Sequence, residues 1–124
     1  MSQERFRIKN KTVVLNGVVY IINVQWHEIQ IKFTHHSLER INVWELEVEK
    51  VIEALLFPEE VVIGHGERFI AHLVDNEHII RAVYEYEGLL PVVVTVYYPY
   101  IARYFQGGGK YADKIFTWCR CFSY

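Results

Sequence analysis

Five side chains in this sequence have the chemistry needed to handle an RNA phosphodiester without a metal ion. Such cleavage needs a base for the 2′-OH proton, an acid for the leaving oxygen and fixed cations for the charge that builds at phosphorus. His36 can serve as base or acid, and Arg40, four residues later, projects from the same face of a helix. Arg81 adds a second cation. Tyr84 or Tyr97 offers an aromatic surface for a base.

Arg81 also has a purely structural interpretation. Strand alternation places it in one row with Ile79, Val83 and Glu85, so it is a cation among largely apolar neighbours. That placement costs free energy unless the charge is paired. A salt bridge with Glu85 or with a glutamate of a helix would satisfy it, and the sequence leaves both interpretations open.

Metal chemistry is the next class to consider, because the chain has six histidines. His35 and His36 are adjacent, whereas zinc sites on helices use pairs four residues apart. His65, His72 and His78 lie in or beside successive strand patterns, but their spacing does not require them to converge. We therefore expect no metal and no other cofactor.

Nucleophilic and phosphate-loop chemistry is not indicated either. Gly107-Gly108-Gly109-Lys110 lacks the spacing of a Walker motif, and Tyr111 stands where serine or threonine belongs. The three serines and two cysteines lack the neighbours that would activate a nucleophile. Two cysteines, Cys119 and Cys121, also cannot form a disulfide framework, which favours a cytoplasmic location.

The charge of the chain is unevenly distributed. Residues 1–38 and 99–124 each carry +3, whereas residues 39–60 carry −5 and residues 61–98 carry −3. A total of −2 argues against general polyanion binding, so an RNA site would have to be local. If the basic ends meet, Lys9 and Lys11 would join the candidate RNA-binding residues Arg103, Lys110 and Lys114 in one cationic patch.

Length and composition predict one domain over residues 1–124. The chain is 52% hydrophobic and 23% charged, too apolar for disorder. A basic cluster precedes an apolar run at residues 12–24, as in a signal peptide, but Asn16-Gly17 interrupts the run. Asn-Gly between β-branched residues instead predicts a hairpin, and no stretch reaches the length of a membrane span.

The elements that must position the candidate residues follow from periodicity. Residues 12–15 and 18–24 predict the hairpin, and residues 29–34 alternate as a further strand. A short helix over residues 35–40 would be capped by Thr34 or Ser37. A longer amphipathic helix is predicted over residues 43–56, with Asn42 and Glu45 as its capping box and Pro58 after its end.

Short strands follow this helix. Residues 60–63, 68–74, 79–85 and 92–98 have strand patterns separated by short turns. Because a parallel return needs a crossover of a dozen or more residues, these strands must form an antiparallel meander. The nearly continuous apolar run at residues 92–96 predicts a central strand covered by the long helix.

A family resemblance rests on four segments: HHSLERINVWELEVEKVIEALLFPEEVV, ERFIAHL, HIIRAVYEYEG and PVVVTVYYP. They resemble small bacterial and archaeal domains of unknown function, grouped with the BrnT and RelE-like toxins of toxin–antitoxin pairs. On the motif, His36 and Arg40 match the histidine and arginine of the opening helix. Arg81 matches the arginine before a Val-Tyr pair, and Thr95 and Tyr97 match a Thr-Val-Tyr sequence.

The resemblance implies a fold and a function. The fold would be α+β and RelE-like, with N-terminal helices packed on an antiparallel meander over residues 29–100. Residues 1–28 would be a hairpin extension and residues 101–124 a tail. The implied function is a metal-independent endoribonuclease toxin that acts on free or ribosome-bound RNA and is paired with a cognate antitoxin. The alternative is a non-catalytic interaction module of the same fold.

Overall fold

A computed structural model describes residues 5–104 and 114–116, with side chains over residues 5–102. Two nine-residue helices follow the first three strands, and a single-turn helix follows the seventh strand. The strands are β1 (Phe6–Val14), β2 (Gly17–Val24), β3 (His27–Thr34), β4 (Glu60–Ile63), β5 (Phe69–Asp75), β6 (His78–Glu87), β7 (Leu90–Tyr97) and β8 (Lys114–Phe116). The helices are α1 (His35–Val43), α2 (Val48–Leu56) and α3 (Ile101–Tyr104).

The described strands form one eight-stranded sheet in the order β1-β2-β3-β7-β6-β5-β4-β8. Neighbours are antiparallel except for β3 and β7, which run parallel, with Lys32 opposite Val92 and Phe33 opposite Val93. The strands from β4 to β7 form the predicted antiparallel meander, which is therefore confirmed. The sheet as a whole is mixed.

The expected RelE-like α+β fold, with N-terminal helices packed on an antiparallel meander, is wrong for this chain. Strands dominate the described residues, and the principal helices are short. The hairpin at residues 1–28 is also not an appendage. β2 pairs with β3, and β3 joins β7 through the parallel pairing. The connection from β3 to β7 is long enough for a parallel return because it contains both helices and three strands.

The short helix predicted over residues 35–40 extends to Val43 as α1, and the long helix predicted over residues 43–56 begins only at Val48 as α2. Thr34 caps α1 by accepting a hydrogen bond from the Ser37 amide at 3.1 Å. Glu45 has φ 58°, and the amides of Glu45 and Leu46 donate to the carbonyls of Asn42 and Ile41. This is the Schellman pattern of a helix end. Asn42 and Glu45 therefore terminate α1 and do not begin the next helix.

The core lies on the face of the sheet that α2 covers. Val51, Ile52 and Leu55 of α2 are fully buried, as the period of 3.6 residues requires for an amphipathic helix. Alternate residues of the strands complete this helix face, and β2 and β3 contribute to it together with the meander. The buried strand members of the cluster are Tyr20, Ile22, Val24, Ile31, Phe33, Ala71, Ile80, Ala82, Tyr84, Val93 and Val96.

The first hairpin turns one residue earlier than Asn16-Gly17 suggests. Val14 is opposite Gly17, so Leu15 and Asn16 form the two-residue loop and Gly17 begins β2. A Cβ atom on Gly17 would lie 2.0 Å from the carbonyl oxygen of Phe33. Glycine is therefore required here by the close approach of β3 and not by the turn.

No helix in the described part of the chain is long and apolar enough to cross a membrane.

Candidate functional site

The candidate site lies on the outer face of the sheet, opposite the helix face. Register places four residues from four adjacent strands in one row: Glu60, His72, Arg81 and Tyr97. We call this the polar row. The next row on the same face is largely apolar and buried, and consists of Val62, Ile70, Val83 and Thr95.

His72 is the centre of the polar row and is only 3% exposed. Its Nδ1 lies 2.8 Å from Oε1 of Glu60, and its Nε2 lies 3.1 Å from Nε of Arg81. Because the guanidinium Nε–H can only donate, Nε2 of His72 must accept. The ring proton is then on Nδ1 and is donated to the Glu60 carboxylate. The neutral imidazole thus holds the Arg81 guanidinium in a fixed orientation.

The polar row reaches solvent at Tyr97, which is 47% exposed. Tyr97 is opposite Arg81 in the β6–β7 pairing, so these side chains are neighbours on one face. A half-exposed phenol beside a positioned guanidinium combines a stacking surface with a cation. This arrangement suits a nucleotide phosphate and its base.

Helix α1 is joined to β7 next to Tyr97. The indole Nε1–H of Trp44, at the end of α1, donates to the Val96 carbonyl at 2.9 Å. The Arg40 guanidinium carbon lies 5.2 Å from the centre of the Trp44 ring, within the range of a cation–π contact. Trp44 therefore connects α1, which carries Arg40, to β7, which carries Tyr97.

The structure brings together some of the predicted site residues and separates another. Arg81 and Tyr97 are paired, and Arg40 is linked to β7 through Trp44. His36 is exposed on α1, one turn before Arg40, and the structure shows no contact between it and the polar row. Tyr84 lies on the helix face with 0% exposure, stacked on Phe69 at 5.5 Å, so it offers no surface for a base.

One structural partner of Arg81 is a residue that neither sequence-based suggestion named. Glu85 is used by Arg68, whose Nε lies 3.2 Å from Oε1 of Glu85. Arg81 donates from Nε to His72 of β5. Every buried side-chain nitrogen or oxygen among the described residues has a hydrogen-bond partner, so burial of the polar row leaves none of these atoms unsatisfied.

The expected cationic patch stays a prediction, because the side chains of its C-terminal members lie outside the described part of the chain. Lys110 lies outside the described residues, and Arg103 and Lys114 are described as backbone only. Lys114 belongs to β8, whereas Lys9 and Lys11 belong to β1, and these are the outermost strands in the sheet order. Lys9 is also neutralised by Glu28 at 2.9 Å.

The three histidines of the strand region do not converge. His65 is in the exposed loop between β4 and β5, and His72 is on the outer face. His78 lies between the rings of Tyr98 and Tyr100, each 4.2 Å away. No group of three His, Cys, Asp or Glu residues that could hold a metal ion occurs among residues 5–104 and 114–116. Cys119 and Cys121 lie outside these ranges.

A second polar cluster lies near the start of β6, a few residues before Arg81 of the polar row. The Tyr98 hydroxyl donates to Oδ2 of Asp75 at 2.7 Å, and Nζ of Lys50 lies 3.6 Å from Oδ1 of that carboxylate. Burial, with the Asp75 contact, raises the pKa of Tyr98 to about 12. Burial also raises the pKa of Tyr86 to about 12, and that of Tyr84 further. These phenols remain protonated donors at neutral pH and are not candidate bases.

Sequence reasoning missed Glu60 and gave His72 only a possible metal role. A usable signal exists in the β5–β6 turn. If Asn76 and Glu77 form a two-residue loop, Asp75 is opposite His78, and counting back along both strands places His72 opposite Arg81.

Comparison of the chain with protein-family models, with curated proteins and with solved structures gives no match.

Proposed function

We propose that this protein is a metal-independent endoribonuclease toxin that holds an RNA phosphodiester at the Tyr97 end of the polar row. The observation that supports the proposal is the orientation of Arg81 by buried His72 beside half-exposed Tyr97. The relationship to BrnT and RelE-like toxins is part of the proposal. It rests on the motif residues and their placement, since the chain does not have the RelE-like architecture.

The proposed reaction is an internal transfer at phosphorus. The 2′ oxygen attacks phosphorus and loses its proton to a base, while the bond from phosphorus to the 5′ oxygen breaks and that oxygen receives a proton from an acid. Charge builds on the non-bridging oxygens during this step. Arg81 would stabilise that charge, and its hydrogen bond to His72 means that little reorganisation is needed when RNA binds.

The remaining roles belong to Tyr97 and α1. Tyr97 would stack on a base next to the scissile phosphate, an interaction that tolerates different sequences. Arg40 would supply a second cation from the helix that Trp44 joins to β7. His36, which is exposed on that helix, would act as base or acid once RNA is bound.

The setting of this activity is also proposed. A toxin of this kind would act in the cytoplasm, on free or ribosome-bound RNA, and would be restrained by an antitoxin encoded next to it. A local site fits the total charge of −2, because Arg81 of the polar row and Arg40 of α1 do not need a basic surface around them.

A non-catalytic interaction module is the second candidate. The observation in its favour is charge: the total is −2, and the basic strand β1 and the strand that carries Lys114, β8, are at opposite ends of the sheet order. RNA affinity depends on the number of phosphates neutralised, which this arrangement limits.

Two measurements test the proposal: growth inhibition on expression, and RNA cleavage by the purified protein in excess EDTA. Arg81→Lys retains the charge but loses the planar fork, and Tyr97→Ala loses the stacking surface. We expect each to reduce cleavage at least about tenfold, as loss of a contact to the reacting group does. His36→Gln should also reduce cleavage. Arg68→Lys is the matched control because Arg68 is an outer-face arginine outside the polar row, and it should cleave normally.

Thermal unfolding separates chemistry from folding in these variants. Each should melt within a few degrees of the parent protein. Full toxicity of Arg81→Lys and Tyr97→Ala would show that the polar row is structural. A parent protein that is harmless on expression and cuts no RNA, with or without ribosomes, would favour the interaction module.

A further inference from the structure

The turn between β2 and β3 places a tryptophan almost entirely in water. Val24 is opposite His27, so Gln25 and Trp26 form a two-residue loop, and Trp26 is 96% exposed. Gln25 has φ 57°, a conformation that costs a residue other than glycine about 1–2 kcal/mol. Gly88 and Asn76, which suit positive φ, fill the equivalent position in two other hairpins. Turn stability therefore does not explain the Gln-Trp pair.

A second apolar side chain lies at the same end of the sheet. Leu89, in the β6–β7 turn, is 97% exposed. Since Lys32 is opposite Val92 in the parallel pairing, Leu89 is level with Ile29 on β3. Trp26 is three residues beyond Ile29, so the β2–β3 hairpin extends about 10 Å past the neighbouring turn. We call this end of the sheet, with Trp26 and Leu89, the Trp26 end.

A positively charged groove adjoins the Trp26 end. It has a volume of about 520 Å³ and is lined by Arg5, Phe6, Arg7, Asn23, Gln25 and Phe57. Arg5 stacks on Phe57 at 4.3 Å and is 3.5 Å from Glu53, which offsets its charge. No carboxylate lies within salt-bridge distance of Arg7 in the described part of the chain. The groove is thus net positive on a protein of charge −2.

We propose that the Trp26 end and this groove bind an acidic segment of another protein that also carries apolar side chains. Tryptophan and arginine are the residues that most often contribute the main binding energy at protein interfaces. Trp26 and, about 10 Å further back along the strands, Leu89 would contact the apolar side chains, and Arg7 would pair with a carboxylate of the segment. Leucine offers no surface for base stacking, so the surface suits a protein segment better than single-stranded RNA.

Direct binding to a defined peptide tests this proposal. The probe is a fluorescein-labelled twelve-residue peptide in which glutamate alternates with leucine or phenylalanine, and its control replaces every glutamate with lysine. We expect the acidic peptide to bind with a Kd in the micromolar range, about 10–100 µM, as a small interface would give. The basic peptide should not bind.

Four variants of the full chain assign the site. Trp26→Ala and Arg7→Glu should each weaken binding of the acidic peptide at least about tenfold, the effect of losing one interface anchor. Leu15→Ala is the matched control for Trp26, because Leu15 is also an exposed apolar residue in a two-residue turn. Lys11→Glu is the control for Arg7, because both are basic residues of β1. Neither control should change binding.

The proposal would be overturned by no binding of the acidic peptide at about 1 mM, by an equal loss on Leu15→Ala, or by preferential binding of single-stranded RNA by this surface. Self-association that disappears in Trp26→Ala would overturn it in favour of a second copy of the chain. The proposal is independent of the endoribonuclease site, and Trp26→Ala should leave RNA cleavage unchanged.

Discussion

The two faces of the sheet are built from the same strands but are stabilised in different ways. On β6, Ile80, Ala82 and Tyr84 enter the helix face, while Arg81 and Val83 enter the outer face. The helix face is apolar and is held by close packing. The outer face places a hydrogen-bonded polar row beside an apolar row. The outer face therefore fixes the orientation of polar side chains through hydrogen bonds, whereas the helix face supplies most of the packing energy.

Replacing one tyrosine on each face should give the largest difference in unfolding free energy between the two faces. Tyr84→Ala leaves a cavity among Phe69 and its neighbours, and we expect it to reduce the free energy of unfolding by about 3–5 kcal/mol. Tyr97→Ala should cost about 0.5 kcal/mol or less, because its side chain is half in water. Urea denaturation measures both. Equal losses would show that the outer face is packed as tightly as the helix face.

The polar row should show energetic coupling that packing alone does not produce. In a double-mutant cycle of His72→Ala and Arg81→Ala, we expect an interaction energy of about 1–3 kcal/mol, because the two side chains share a hydrogen bond in a partly buried site. The control cycle is Arg68→Ala with Glu85→Ala, an exposed ion pair on the same face, for which about 0.5 kcal/mol is expected. Additive effects in the first cycle would remove the case for Arg81 as a positioned cation.

The tyrosines with raised pKa values all lie on the helix face, which predicts alkaline sensitivity. Tyr86 and Tyr98 have folded-state pKa values of about 12, above the ordinary value of 10. The unfolded chain therefore loses these protons first. Stability should be complete below pH 10 and should fall as the pH rises toward 12. Thermal midpoints between pH 8 and pH 11.5 measure the fall, which Tyr86→Phe should reduce. A midpoint that does not change over this range would contradict the assignment.

Local patterns in the sequence predicted most of the strands but not their assembly. The meander follows from short turns, and the same-face neighbours of Arg81 follow from alternation. The β3–β7 pairing joins residues about sixty positions apart, and no local signal specifies such a contact. Glu45 ends α1 in a left-handed conformation that glycine usually adopts. Because glutamate is not a typical residue at this position, the sequence gives no sign that a helix ends there.

Only part of the candidate site could be predicted from the sequence. Residue chemistry identified Arg81 and Tyr97, and the structure places them side by side. The placement of Tyr84 on the opposite face also follows from alternation, because positions 81 and 84 are an odd number apart. A correct assignment of the Asn76-Glu77 turn would have placed His72 opposite Arg81, whereas Glu60 also needed the register of the β4–β5 hairpin.

The parallel pairing of β3 with β7 has a consequence for how the chain folds. Strands β1 to β3 can form through two-residue turns on a microsecond timescale, and so can the β5–β6 and β6–β7 hairpins, while a five-residue loop joins β4 to β5. Joining the two groups requires closure of a long loop before any parallel hydrogen bond forms, which is slow. We therefore expect the docking of two preformed antiparallel ribbons to be the last event in folding. Because α1 adjoins both β3 and β7, the proposed RNA site is completed only in that step.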